Sequence, residues 1–66
     1  MEQEFEAKYN IPFSEMEKVK FRGGARTRDG CDHYYHRKTD HIYSWNFLEN
    51  YWCEMSNQKQ LKNMME

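Results

Sequence analysis

A chain of 66 residues allows one domain, residues 1–66, and is too short for the pocket-sized scaffold of most enzymes. Its eleven aromatic residues exclude an intrinsically disordered chain and predict a core of rings, because Ile, Leu and Val together number only five. No apolar run reaches the roughly 18–20 residues of a membrane-spanning helix. Two cysteines and an acidic start without the apolar stretch of a secretory leader predict free thiols and a cytoplasmic protein.

The formal net charge of −1 hides a segregation of charge along the chain. Residues 1–17 hold five Glu and one Lys, whereas residues 18–38 hold seven Lys and Arg against two Asp. Residues 39–66 are again mildly acidic. A basic centre of this kind is typical of a patch for an acidic protein or a nucleic acid, and an ordinary solvated surface is the alternative.

The acidic N-terminal arm, residues 1–13, has no clear periodicity. Residues 2–9 fit a helical turn or an edge strand, and Pro12 ends either one. Ser14 and Glu17 then match a capping box, which predicts a short helix. The alternation of apolar and basic residues up to Phe21 fits a strand equally well, so both alternatives stay open here.

Asp29-Gly30 is the clearest local pattern, because Asp-Gly favours the two-residue turn of a β-hairpin. Segments rich in aromatic and β-compatible residues flank it, and a second reversal fits near residues 37–40. We therefore predict a small α+β fold with a three-stranded antiparallel meander, whose strands are 25–28, 31–37 and 40–45.

Beyond residue 45 the apolar spacing becomes helical. Asn46 is a suitable N-cap, with Glu49 three residues later. This predicts a C-terminal helix over about 46–56, with a weaker continuation to 64, packed on one face of the sheet. Residues 57–66 are expected to fray or to be ordered by a partner. The residues of the apolar stripe are Phe47, Leu48, Tyr51, Trp52 and Met55.

The hairpin register assigns side chains to the two faces of the sheet, because they alternate along each strand. Tyr35 is expected opposite Ile42, and Tyr34 between Ala25 and Tyr43. Tyr34, Tyr43 and Trp45 then share the face under the C-terminal helix. The other face presents an exposed tyrosine among basic residues, unless Tyr35 and Ile42 form a second core layer against the N-terminal segment. The predicted partner-binding residues are Arg22, Arg26, Arg28, Tyr35, Arg37 and Lys38.

Catalytic and metal chemistry have little support in the sequence. The Cys and His residues lack the paired spacing of structural zinc sites, and the register divides them between two faces, so neither a metal nor a cofactor is expected. Cys and His two residues apart also lack the orienting third group of a nucleophilic site, so we expect no enzyme. The residues considered for zinc are Cys31, His33, His36, His41 and Cys53.

The leading hypothesis is a small non-catalytic regulatory or inhibitory protein that binds another protein through this basic and aromatic sheet face. Tyr and Arg are common at interface hot spots, and short aromatic-rich binders include virus-encoded modulators of host enzymes. The alternative is a module for single-stranded nucleic acid, with bases stacked on Tyr35 and phosphates held by Arg and Lys. Eleven acidic residues count against that alternative. Self-association as a homodimer is a third hypothesis.

Overall fold

The computed structural model describes residues 1–21 and 30–65. In this part of the chain two helices and a four-stranded antiparallel sheet make an α+β fold. The elements are α1 (Glu2–Tyr9), a 3₁₀ turn (Phe13–Glu15), β1 (Met16–Lys18), β2 (Cys31–His36), β3 (His41–Asn46), β4 (Tyr51–Cys53) and α2 (Gln58–Met64).

The structure decides between the alternatives that the sequence left open for residues 2–9 and for the segment after Ser14. Residues 2–9 form α1, which ends where Asn10 takes a left-handed conformation (φ 57°) and donates its N–H to the carbonyl of Glu6. The Ser14 capping box does not begin an α-helix. Only a 3₁₀ turn forms there, because Met16 is already extended (φ −90°, ψ 142°) and opens strand β1.

The sheet has the order β1-β2-β3-β4, one strand more than predicted. The register of β2 with β3 is confirmed, since Tyr35 pairs with Ile42 and Tyr34 with Tyr43. The neighbour predicted for β2 on its other side is wrong. Tyr34 faces Lys18 of β1, where the sequence placed Ala25. The predicted strand 25–28 and Asp29 lie outside the described residues; Gly30 has the positive φ of 73° that its turn pattern suggested.

The helix predicted over 46–56 is wrong, although its cap was correctly identified. The side chain of Asn46 accepts the backbone N–H groups of Leu48 (3.0 Å) and Glu49 (2.9 Å), as an N-cap does. The turn then stops at Asn50, which is left-handed (φ 60°). Strand β4 follows and pairs Trp52 with Trp45. The 3.6-residue stripe is therefore divided: Trp52 is buried while Leu48 and Tyr51 are exposed.

Each face of the sheet has its own small core. The first surrounds Phe5 of α1, which is fully buried and contacts the rings of Tyr9, Phe13, Tyr43 and Trp52 at centroid distances of 4.8–5.7 Å. Tyr34, Tyr43 and Trp45 lie on this face as predicted, but α1 covers them instead of a C-terminal helix. The second core consists of Phe21, Ile42 and Leu61, with Val19, Tyr35, Met55 and Met65 packed around them.

Within the segment that was expected to fray, Gln58–Met64 form α2, which packs on the second core through Leu61. Its first residue, Gln58, accepts the N–H of Ile42 (2.8 Å) and donates to the carbonyls of Ile42 (3.0 Å) and Met55 (2.8 Å). Because β4 ends at Cys53, the amide of Gln58 occupies the place of a strand beside Ile42. Among residues 1–21 and 30–65, no helix is long and apolar enough to cross a membrane.

Candidate functional site

Three of the six predicted binding residues can be placed. Tyr35 is in β2, while Arg37 and Lys38 occupy the turn between β2 and β3. Arg22, Arg26 and Arg28 fall outside the described residues. The three that can be placed all lie beside the segment 13–20, which contains the 3₁₀ turn and β1.

Tyr35 is only half-buried, and its ring packs against the second core. Its hydroxyl donates to Asp40 Oδ1 (2.6 Å), and Lys62 of α2 donates to Asp40 Oδ2 (3.0 Å). The hydrogen bond to Asp40 raises the pKa of Tyr35, and the same bond, followed by that from Lys62, lowers the pKa of Asp40. Tyr35 and Ile42 therefore belong to a second core layer, which Val19, Phe21 and α2 cover where the N-terminal segment was expected, and this ring is not an open platform for base stacking.

Arg37 and Lys38 are both paired with glutamates of the preceding segment. Arg37 Nη2 lies 3.2 Å from Glu17 Oε1, and Lys38 Nζ lies 2.9 Å from Glu15 Oε2. The other oxygen of Glu15 contacts the buried His36 at 2.8 Å. Hydrogen bonds from His36 and then Lys38 lower the pKa of Glu15. The turn thus carries alternating charges of both signs and not a purely basic patch.

These ion pairs are exposed and therefore weak. The side chains of Arg37 and Lys38 are 80% and 74% accessible. Exposed pairs of this kind contribute about 0–1 kcal/mol, because water and salt screen them and ordering two long side chains costs entropy. A partner that brings its own charges can replace them at little cost. The turn is held in shape by the buried His36, which contacts Thr39 (2.8 Å) as well as Glu15.

Two open grooves flank Glu17. One has a volume of about 240 Å³ and is lined by β1 and the segment after it, together with Tyr35 and Met65. The other, about 300 Å³, is lined by the 3₁₀ turn, Arg37 and Lys38. Both volumes lie at or below the lower limit of about 300 Å³ for sites that enclose small molecules. We call the residues that line the two grooves the Glu17 surface: Ser14, Glu15, Glu17, Lys18, Val19, Lys20, Tyr35, His36, Arg37, Lys38 and Met65.

The acidic members of this surface were missed by the sequence analysis. The sequence pattern places Glu15 inside the capping box that begins at Ser14 and makes Glu17 the N3 residue of that box, and neither predicts a contact with the β2–β3 turn. No local sequence pattern predicts the pairing of β1 with β2, because residues 19–30 separate the two strands. The segregation of acidic residues before Lys18 and basic residues after it was the one available indication of ion pairs between distant parts of the chain.

Exposed apolar side chains form a second candidate at the β3–β4 turn. Leu48 is 71% and Tyr51 49% exposed. Isolated exposed apolar residues are ordinary in soluble proteins, and no groove is described beside these two. They therefore carry less weight than the Glu17 surface.

The histidines and cysteines serve different parts of the fold. The ring of His33 contacts the buried hydroxyl of Ser44 at 2.7 Å on the second-core face, whereas His36 contacts Glu15 beside the first core. Cys31 is buried and Cys53 half-buried, and both are free thiols. Within residues 1–21 and 30–65, no three His, Cys, Asp or Glu side chains are arranged to hold a metal ion.

Fold and surface together define a small aromatic-rich α+β domain with a mixed-charge groove region at one edge of its sheet. No known protein family, no curated protein sequence and no solved structure matches this chain.

Proposed function

We propose that this chain is a small non-catalytic regulatory or inhibitory protein that binds another protein through the Glu17 surface. The observation that carries the proposal is the position of two open grooves on either side of Glu17, lined by Tyr35, Arg37 and Lys38. Grooves of this size suit side chains of a partner better than an enclosed substrate.

The charge pattern favours a protein over a nucleic acid. A phosphate approaching Arg37 or Lys38 also meets the carboxylates of Glu17 and Glu15, which lie within 3.2 Å of those cations. A protein partner carries both signs of charge and can exchange these pairs for its own, as polar interface rims do. The half-buried ring of Tyr35 and its bond to Asp40 leave little free area for base stacking.

Charge reversal tests the proposal. The full chain is used as bait in lysate of its source cell, beside the variant Arg37→Glu/Lys38→Glu and the control Lys59→Glu, which changes an exposed lysine of α2. We expect one protein at stoichiometric yield with the wild type and with the control, and a strong loss with the double variant. Equal recovery by all three baits would contradict the proposed surface.

Binding of single-stranded oligonucleotides at low salt distinguishes the nucleic-acid alternative. Phosphate contacts release counterions, so an affinity that depends on six or more of them falls by about 10³–10⁵-fold between 50 and 200 mM salt. Tight, steeply salt-dependent binding that is lost in the double variant would replace the protein-binding proposal. No binding at 50 mM salt would remove the nucleic-acid alternative.

A further inference from the structure

The two edge strands of the sheet, β1 and β4, differ in whether helix α1 lies against them. At the β4 edge, the ammonium group of Lys8 donates to the backbone carbonyl of Trp52 at 2.6 Å. The indole N–H of Trp52 donates to the carbonyl of Met1 at 2.8 Å. Helix α1 therefore lies against this edge and occupies a carbonyl that an added strand would need. Covering an edge in this way prevents pairing with another chain.

The β1 edge has its backbone groups directed outward. The N–H of Val19 donates to the carbonyl of His33 in β2 (2.8 Å), and Lys18 faces Tyr34 in the register. Because successive residues of a strand direct their N–H and C=O groups to opposite sides, those of Lys18 are directed away from β2. No hydrogen bond to them comes from residues 1–21 or 30–65. An unpaired edge residue of this kind can accept another strand. Further along the same segment Phe21 forms an antiparallel bridge with Met65, so the C-terminal part of the chain already lies beside the residues that follow Val19.

The side chains along this edge specify the chemistry of what binds there. Lys18 and Lys20 are two residues apart and thus share one face of the extended segment. Both are exposed, and neither forms an ion pair with any described residue. On the opposite face, Val19 lines the 240 Å³ groove with Tyr35 and Met65. Because Phe21 is bridged to Met65, an added strand can pair as far as Val19. An acidic residue of that strand would face Lys18, and the apolar residue next to it would enter the groove.

A second copy of this chain does not fit the same edge. A symmetric antiparallel pair places each residue opposite one on the same face of the joined sheet. With the axis at Glu17, two copies of Glu17 face each other, and with the axis at Lys18, two copies of Lys18 do. With the axis at Val19, Lys18 faces Lys20 of the second copy. Like charges directly opposite destabilise a strand pair, so pairing of this edge with the same edge of a second copy is disfavoured.

We propose that β1 receives an extended acidic segment of the partner protein as a fifth strand that ends beside Val19, with a carboxylate at Lys18 and the adjacent apolar residue over Val19, Tyr35 and Met65. This inference rests on the proposed protein-binding function and specifies the partner segment for the same surface. Main-chain hydrogen bonds to Lys18 supply affinity, while the Lys18 ammonium group and the groove supply specificity.

A peptide probe tests the inference without knowledge of the partner. The probe is an end-blocked nonapeptide of alternating valine and glutamate, and its control is the same length of alternating valine and lysine. Amide hydrogen exchange is followed by NMR on the full chain. In the free protein we expect fast exchange at the Lys18 amide and slow exchange at the Val19 amide, which is bonded to His33. Saturating acidic peptide is expected to slow exchange at Lys18 by at least about tenfold. Unchanged exchange at Lys18, or equal binding of the lysine peptide, would overturn the proposal.

Variants at one residue separate backbone pairing from charge. Lys18→Pro removes the outward N–H without removing a hydrogen bond to β2, a position where edge strands tolerate proline. We expect it to retain the far-UV spectrum of the wild type and to lose peptide binding. Lys18→Gln retains the N–H, so its affinity is expected to fall by only about 3–10-fold. The matched change Lys59→Gln in α2 is expected to leave affinity unchanged, and an equal fall there would refute specific pairing.

Failure of this inference is distinguishable from failure of the proposed function. A natural partner that is lost on reversing Arg37 and Lys38 but retained by Lys18→Pro would uphold protein binding and exclude strand addition. If Lys18→Pro fails to fold, the exchange of the Lys18 amide in the wild type with and without peptide still decides the question.

Discussion

The amide of Gln58 gives the most direct test of how this small fold is held together. It forms three hydrogen bonds, of which two satisfy the N–H and C=O of Ile42, a residue with no exposed surface, and the third satisfies the carbonyl of Met55. We choose Gln58→Met as the perturbation, because methionine has a similar length and helix propensity but cannot form these bonds.

The expected cost follows from the three bonds. A hydrogen bond of this kind contributes about 0.5–1.5 kcal/mol net, and a buried group left without a partner costs about 1–3 kcal/mol. Loss of all three at Gln58 therefore predicts a fall of about 2–4 kcal/mol in the free energy of unfolding. A domain of this size is stabilised by only about 3–5 kcal/mol, so most of the margin is removed.

Urea unfolding followed by tryptophan fluorescence measures this loss, since Trp52 and Trp45 are both buried. The matched control is Gln60→Met, because Gln60 lies on the exposed side of the same helix. The control is expected to change stability by less than about 0.5 kcal/mol. Protection of the Ile42 amide from exchange should also fall only in Gln58→Met. Equal urea midpoints for the two variants would refute the structural role assigned to Gln58.

Three further predictions concern stability. Phe5→Ala is expected to cost about 3–5 kcal/mol in urea unfolding, because it empties the centre of the first core, whereas Leu48→Ala should cost under about 0.5 kcal/mol. Gly30→Ala is expected to cost about 1–2 kcal/mol, since its φ is 73° and the added Cβ would lie 2.6 Å from Leu48 Cδ1. In a double-mutant cycle, Leu48→Ala should relieve only the steric part of this cost, and full relief would contradict the backbone argument. Glu15 has a pKa lowered by its hydrogen bonds to a histidine and a lysine, so its contribution is present above its ordinary pKa of 4.5 and is lost as the pH falls below it. Glu15→Gln should therefore lose stability at pH 7 and show a shallower decline in acid, and an unchanged acid limb would refute the pairing.

The parts of the fold that local chemistry determines could be predicted. The β2–β3 hairpin has a short reversal and a strict alternation, so Tyr34 and Tyr43 were placed on one face and Tyr35 and Ile42 on the other. The cap at Asn46 was also found, because capping depends on residues within a single turn. These elements require no information from distant parts of the chain.

The errors arise where distant residues compete with local propensity. The helical spacing after residue 45 was overridden, because pairing Trp52 with Trp45 brings it beside Phe5 in the first core, at a centroid distance of 4.8 Å. The sequence allowed a strand before Phe21 as one of two alternatives, but its pairing with β2 was missed, since the local turn pattern near residue 30 suggested a closer neighbour for β2. The acidic half of the Glu17 surface was missed for the same reason, as Glu15 and Glu17 reach the β2–β3 turn only through that pairing.

The arrangement of the cores is the reason why we propose recognition at an edge of the sheet. Helix α1 covers one face of the sheet and α2 the other, so most of the aromatic side chains that suggested binding are used for stability. Lys8 closes the β4 edge. Of the surfaces that the structure describes, the edge at Lys18 combines outward backbone groups, uncompensated charge and an adjoining groove. A binding function that used the core-covering faces instead would depend on residues that the fold already employs, and variants that weaken binding would then also weaken folding. Separation of the two effects at Lys18 is thus the measurement that distinguishes an edge binder from a domain that binds through its core-covering faces.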